Sequence, residues 1–78
     1  IRIVDYEFQP ASTCVTAGST VTWRNDGVQT HSAKADLGAW DSPLLTNGGS
    51  FATTLTQNGT LTYYCSVHPF MQASVVVQ

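Results

Sequence analysis

The chain has 78 residues, a net charge of -2 and charged side chains at only 10% of positions. One domain spanning 1–78 is expected, and because a fold of this size buries only about 60% of its unfolded surface, its stability should lean on a bound metal or a closely packed sheet. Three Lys and Arg residues in all supply no basic face to follow a phosphate backbone, which excludes nucleic acid as a partner. No run of about 18 apolar residues marks a membrane span.

Helix signals are nearly absent. Short runs rich in Val, Thr, Tyr, Trp and Phe alternate with Gly, Asn, Asp and Pro clusters, the pattern of an all-β sandwich or barrel. In chain order, strands are predicted at Ile1 to Phe8, Thr13 to Thr16, Thr20 to Asn25, Thr30 to Ala33, Ser50 to Thr56, Gly59 to Cys65 and Met71 to Val77. Because Ile1-Arg2-Ile3-Val4 reads as strand rather than signal peptide, the sequence is expected to be a mature form or a domain cut from a longer chain. Turns are expected at Ala17-Gly18, Asn25-Asp26-Gly27, Asn47-Gly48-Gly49 and Asn58-Gly59, where Gly or Asn accepts positive φ. Asn58-Gly59-Thr60 also fits a glycosylation acceptor, but a plain hairpin turn is the favoured reading. The stretch from Lys34 to Asn47, interrupted by Asp41-Ser42-Pro43, is predicted to be loop with at most one short turn of helix.

Alternation assigns faces, since side chains two apart share one side of a sheet. Val21 and Trp23 should point inward with Thr22 outward, and Leu61, Tyr63 and Cys65 should form one core-facing row. Cys14 falls on the face opposite Val15 and is expected to be an outward thiol, free or available for an intermolecular disulfide or attachment. Cys14 and Cys65 are the only cysteines, and Cys65 lies at a metal-ligand spacing, which argues against a disulfide framework.

That spacing is Cys65-Ser66-Val67-His68-Pro69-Phe70-Met71. Cys65 and His68 are three apart, and His68 and Met71 three apart again, so one tight loop can present a thiolate, an imidazole and a thioether to one ion. His31, the only other histidine, is placed at the end of a neighbouring strand and completes a clamp across the sheet. Soft sulfur favours Cu(I) while imidazole serves both oxidation states, so two His and one Cys with a weak axial Met suit a mononuclear blue-copper electron-transfer centre. Taken singly, each His would pass for a polar surface residue and Met71 for core packing. Jointly, both His, the only Met and one Cys converge on one site.

These residues carry a resemblance. Tyr63-Tyr64-Cys65-Ser66-Val67-His68-Pro69-Phe70-Met71, followed by Ser74-Val75-Val76-Val77, is similar to the cupredoxins, most of all to amicyanins and next to plastocyanins. Phe8-Gln9-Pro10 and Val15 through Asn25 resemble the same family's second and third strands, so the likeness extends across the chain. It implies a Greek-key β-sandwich and one type 1 copper, with His31, Cys65 and His68 as strong ligands and Met71 as the axial one. It also implies electron transfer through the exposed edge of His68 beside Pro69 and Phe70, transient redox-protein partners, and an extracytoplasmic location, periplasmic or on the outer face of a membrane; a monomer is expected because nothing in the sequence demands more.

The chain departs from its relatives in three respects. Ser32 follows His31 where those proteins commonly place an Asn that ties the two ligand loops, and the shorter hydroxyl would have to make that link. Val67 stands where they tend to have Pro, so its amide is expected to donate to the Cys65 sulfur and raise the reduction potential. The chain is also shorter than familiar amicyanins, as expected of a cupredoxin with trimmed loops or of a domain tethered to a membrane or a larger chain. Competing readings are copper storage or delivery, which favours an exposed Met-rich site, and a purely structural or adhesive sandwich, which the intact ligand set opposes. A binuclear copper centre would need a second Cys in the loop, where position 69 is Pro. Catalysis is disfavoured because four protein ligands leave no open position, and low charge density predicts weak dependence of partner association on ionic strength.

Overall fold

The computed structural model describes residues 1–78. Eight strands form: β1 (Arg2–Val4), β2 (Glu7–Gln9), β3 (Ser12–Val15), β4 (Ser19–Asn25), β5 (Lys34–Ala35), β6 (Ser50–Leu55), β7 (Gly59–Tyr64) and β8 (Gln72–Val77). They make two four-stranded sheets, ordered β2-β1-β4-β6 and β3-β8-β7-β5. The pairs β1–β4 and β3–β8 are parallel and the rest antiparallel, so both sheets are mixed. This is the expected all-β sandwich. Gly18 and Gly48, in two of the predicted turns, take positive φ of 93° and 84°.

Parity places the core as read from sequence. Along β4, Val21, Trp23 and Asn25 are buried while Thr20, Thr22 and Arg24 are exposed. Tyr63 and Cys65 are buried on one face of β7 and its exit, and Cys14 is a free, exposed thiol. An aromatic stack fills the space between the sheets. Trp23 lies 5.1 Å from Trp40 and 5.5 Å from Tyr63, and Phe8 meets Tyr63 edge-on at 4.7 Å between ring centroids. Burial pushes the Tyr63 phenol up to about 12, so it stays neutral in the row that ends at Cys65.

Two predicted elements are corrected. Ile1 to Phe8 is not one strand but the hairpin β1–β2, with Asp5 and Tyr6 at its turn. Ile3 and Phe8 are both buried, which one continuous strand forbids because odd and even positions face opposite ways. Thr30 to Ala33 is not a strand either. His31, Ser32 and Ala33 are buried in succession, so this segment threads the interior instead of lying on a pleated face, and the strand proper is the short β5 that follows. Within Lys34 to Asn47 no helical turn forms. Isolated bridges His31–Leu45 and Lys34–Asp41 fold that stretch back on itself.

Candidate metal centre

His31 is positioned by backbone bonds outside the sheets. Its N–H donates to the Leu45 carbonyl at 3.0 Å and its own carbonyl accepts from the Leu45 N–H at 2.7 Å. The Asn25 side-chain amide reinforces the arrangement by donating to the carbonyls of Leu45 and Gln29 at 2.7 and 2.9 Å. The fully buried His31 ring is engaged on both edges. Nε2 lies 2.6 Å from Asp5 Oδ1, and Nδ1 faces Cys65 Sγ at 3.6 Å.

Cys65 leaves β7 at the bottom of a closed loop. Its N–H donates to the Met71 carbonyl at 3.1 Å, the His68 N–H donates back to the Cys65 carbonyl at 3.2 Å, and the Met71 N–H donates to the His68 carbonyl at 2.9 Å. The Cys-x2-His-x2-Met spacing thus becomes two successive turns held by backbone bonds. His68 Nδ1 comes to 3.8 Å from Cys65 Sγ. The donor atoms of His31, Cys65 and His68 all lie within 4.8 Å of one another. Nitrogen and sulfur donors about 2.0–2.3 Å from a shared ion, opened to a trigonal angle, stand about 3.8 Å apart. The observed N–S separations of 3.6 and 3.8 Å are those of donors that would converge on one ion. Met71, whose backbone closes this loop, is buried.

The two ligand-bearing segments are tied together by Ser32. Its hydroxyl accepts the Ser66 N–H at 2.9 Å and pairs with the Ser66 hydroxyl at 2.6 Å, so the short side chain makes the link because Ser66 reaches toward it. The expectation for Val67 is corrected. The amide that reaches the Cys65 sulfur is that of Ser32, at 3.4 Å, and Val67 is instead carried outward on the turn closed by the His68 N–H. Val67→Pro therefore removes no bond from the thiolate.

Outside the pocket, Pro69 is exposed and Phe70 is 69% exposed, so Phe70 is a surface residue. Tyr6, which the sequence did not single out, stands edge-on to His68 at 5.2 Å between centroids and 6.0 Å from Phe70. Asp5 was missed as well. Its carboxyl is held below the usual carboxylate range, first by its bond with His31 and next by the Val28 amide. The one signal for both residues was the parity slip between Ile3 and Phe8.

Comparison with known proteins bears directly on this arrangement. The model of the copper-binding proteins of the plastocyanin/azurin family matches residues 1–78. The chain belongs to this cupredoxin family. Amicyanin-alpha of Methylorubrum extorquens is 30% identical over the whole chain and 70% of its own length, and amicyanin of Paracoccus denitrificans is 30% identical over the whole chain and 63% of its length. Among solved structures, an oxidised amicyanin with a single proline-to-alanine substitution superposes on the whole chain and 79% of its own, with a TM-score of 0.92 at 30% identity. A purple cupredoxin from Nitrosopumilus maritimus gives 0.86 at 32% identity over 90% of this chain and 80% of its own. The same domain occurs inside larger proteins, since this cupredoxin matches 21% of a copper-containing nitrite reductase from Thermus scotoductus. Copper is the family's metal, and a buried cysteine sulfur between two imidazoles is a donor set that suits it.

Proposed function

We propose that this cupredoxin carries single electrons at a mononuclear type 1 copper held by His31 Nδ1, Cys65 Sγ and His68 Nδ1, with Met71 as the weak axial ligand. The convergence of those three donor atoms, two of them on buried residues, supports the reading most strongly. Bound there, copper supplies the Cu(I)/Cu(II) couple. The protein supplies a site that changes little between the two states: His31 is held at Nε2 by Asp5 and along its backbone by Leu45, the Cys65–Met71 loop is closed by its own backbone, and Ser32 joins the two segments. With four protein ligands no position is left for a substrate, so the chain is a carrier and not an enzyme.

Electrons enter and leave through His68, the least buried of the three clustered ligands, whose rim is Pro69, Phe70 and Tyr6. A small apolar rim suits brief, dry encounters with redox proteins. The resemblance to amicyanins supports an extracytoplasmic setting, in the periplasm or on an outer membrane face, with the chain acting as a monomer. Copper storage or delivery is less well served, because Cys65 is fully buried and the chain has one Met. One equivalent of Cu(II) added to the metal-free protein should produce an intense blue thiolate-to-copper band that ascorbate bleaches and an oxidant restores, and Cys65→Ser should lack it. A colourless or irreversible complex overturns the proposal.

A further inference from the structure

The turn between β1 and β2 places a carboxylate where no ligand motif requires one. Asp5 Oδ1 lies 2.6 Å from His31 Nε2 and accepts the Gln29 N–H at 3.1 Å, while Oδ2 accepts the Val28 N–H at 2.9 Å. Two oxygens thus serve three groups, all belonging to the segment that carries His31. Room for this is made by Gly27. A Cβ there would overlap Asp5 Oδ1 and approach the Asp5 backbone nitrogen to 3.0 Å, although the Gly27 backbone itself is not in the left-handed region. Gly27 also donates its N–H to Asn25 Oδ1 at 2.9 Å, which fixes the turn against the carboxylate.

An ionised carboxylate only accepts hydrogen bonds, so the proton between Asp5 and His31 belongs to Nε2. The neutral imidazole then has its lone pair on Nδ1, the atom that faces Cys65 Sγ. A carboxylate on the far nitrogen of a metal-binding imidazole also makes that imidazole a stronger donor. His68 has no such partner within the protein, so the two imidazoles are unequal.

We propose that Asp5 is a positioning residue of the copper centre: from the β1–β2 turn it holds the His31 proton on Nε2, aims Nδ1 at the metal and, by its negative charge, favours Cu(II) over Cu(I), with Gly27 required for its approach. The proposal rests on the copper reading for its redox part and not for its tautomer part.

The test compares the copper-loaded wild type with Asp5→Asn, Gly27→Ala and Asp26→Asn, the last removing a carboxylate that pairs with Arg2 and Arg24 and not with His31. Asp5→Asn should lower the preference for Cu(II) over Cu(I) about tenfold, a rise of about 59 mV for a one-electron couple. Gly27→Ala keeps the charge but displaces it and should shift the potential in the same direction, while Asp26→Asn should change the preference less than twofold. In parallel, nitrogen-15 NMR of the metal-free protein should show His31 protonated at Nε2 alone in the wild type and as a mixture of tautomers in Asp5→Asn. Equal potentials for Asp5→Asn and Asp26→Asn, or an unchanged His31 tautomer in Asp5→Asn, overturn the proposal. Should Asp5→Asn fail to fold, the same two readouts on Gly27→Ala decide it. If no blue centre forms even in the wild type, the copper reading fails and the tautomer measurement still decides the positioning role.

Discussion

Ser32 shows how a single hydroxyl can carry a connection between two ligand loops. It is almost fully buried, and its hydroxyl accepts the Ser66 N–H and pairs with the Ser66 hydroxyl, while its own N–H reaches the Cys65 sulfur. Ser32→Ala leaves a part-buried amide without its partner, so it should cost about 1–3 kcal/mol, read as a lower urea midpoint with an unchanged slope. Phe70 presents the opposite case. Being mostly exposed, it contributes little to stability, so Phe70→Ala should keep the blue band and the melting temperature while slowing electron self-exchange severalfold, measured by NMR line broadening between the oxidised and reduced forms. An unchanged exchange rate would place the electron port elsewhere than at the His68 rim.

At the scale of elements, β4 does two jobs. Its inward row supplies Trp23 to the aromatic stack, and its last residue, Asn25, holds the loops that carry His31 and Leu45. Trp23→Ala should cost about 3–5 kcal/mol. At roughly 0.05–0.15 kcal/mol per residue, that is a large part of what a chain of this length has. The metal-free variant is therefore expected to lose most of its near-ultraviolet circular dichroism at 25 °C, and saturating copper should recover it, since a ligand at 1,000 times its Kd adds about 4 kcal/mol. The hairpin β1–β2 and the bridge His31–Leu45 bring the turn at Asp5–Tyr6 and the threaded segment at His31 to the same end of the sandwich as the Cys65–Met71 loop. The site is therefore shared among three separate stretches of chain.

For the whole molecule, Asp26 between Arg2 and Arg24 is the clearest electrostatic contributor outside the site. The Arg2 hydrogen bond, followed by that of Arg24, holds its carboxyl below the ordinary value of 3.8. A carboxyl whose folded value is depressed stabilises the protein above its unfolded value, and that contribution is lost as the pH falls through the folded one. The wild type should thus be more stable than Asp26→Asn at pH 6, with the gap in urea midpoint closing below about pH 3.8, and added salt should narrow it because the pair is partly solvated. The sequence by itself determined the sheet class, the faces of β4 and β7, the span of β8 and the local half of the candidate donor cluster. Period-2 alternation and the Cys65-x2-His68-x2-Met71 spacing are short-range properties, and each of those strands is formed to within about one residue of its prediction. Only the tertiary structure decided that residues 1–8 fold into a hairpin, that His31 lies on a buried crossing segment, that Ser32 and not Val67 supplies the amide to the sulfur, and that Asp5 and Tyr6 stand against the histidines. Those outcomes depend on pairings such as Asp5 with His31 and Ser32 with Ser66, 26 and 34 positions apart, which leave no periodic trace because they arise only when the two sheets close on a common core.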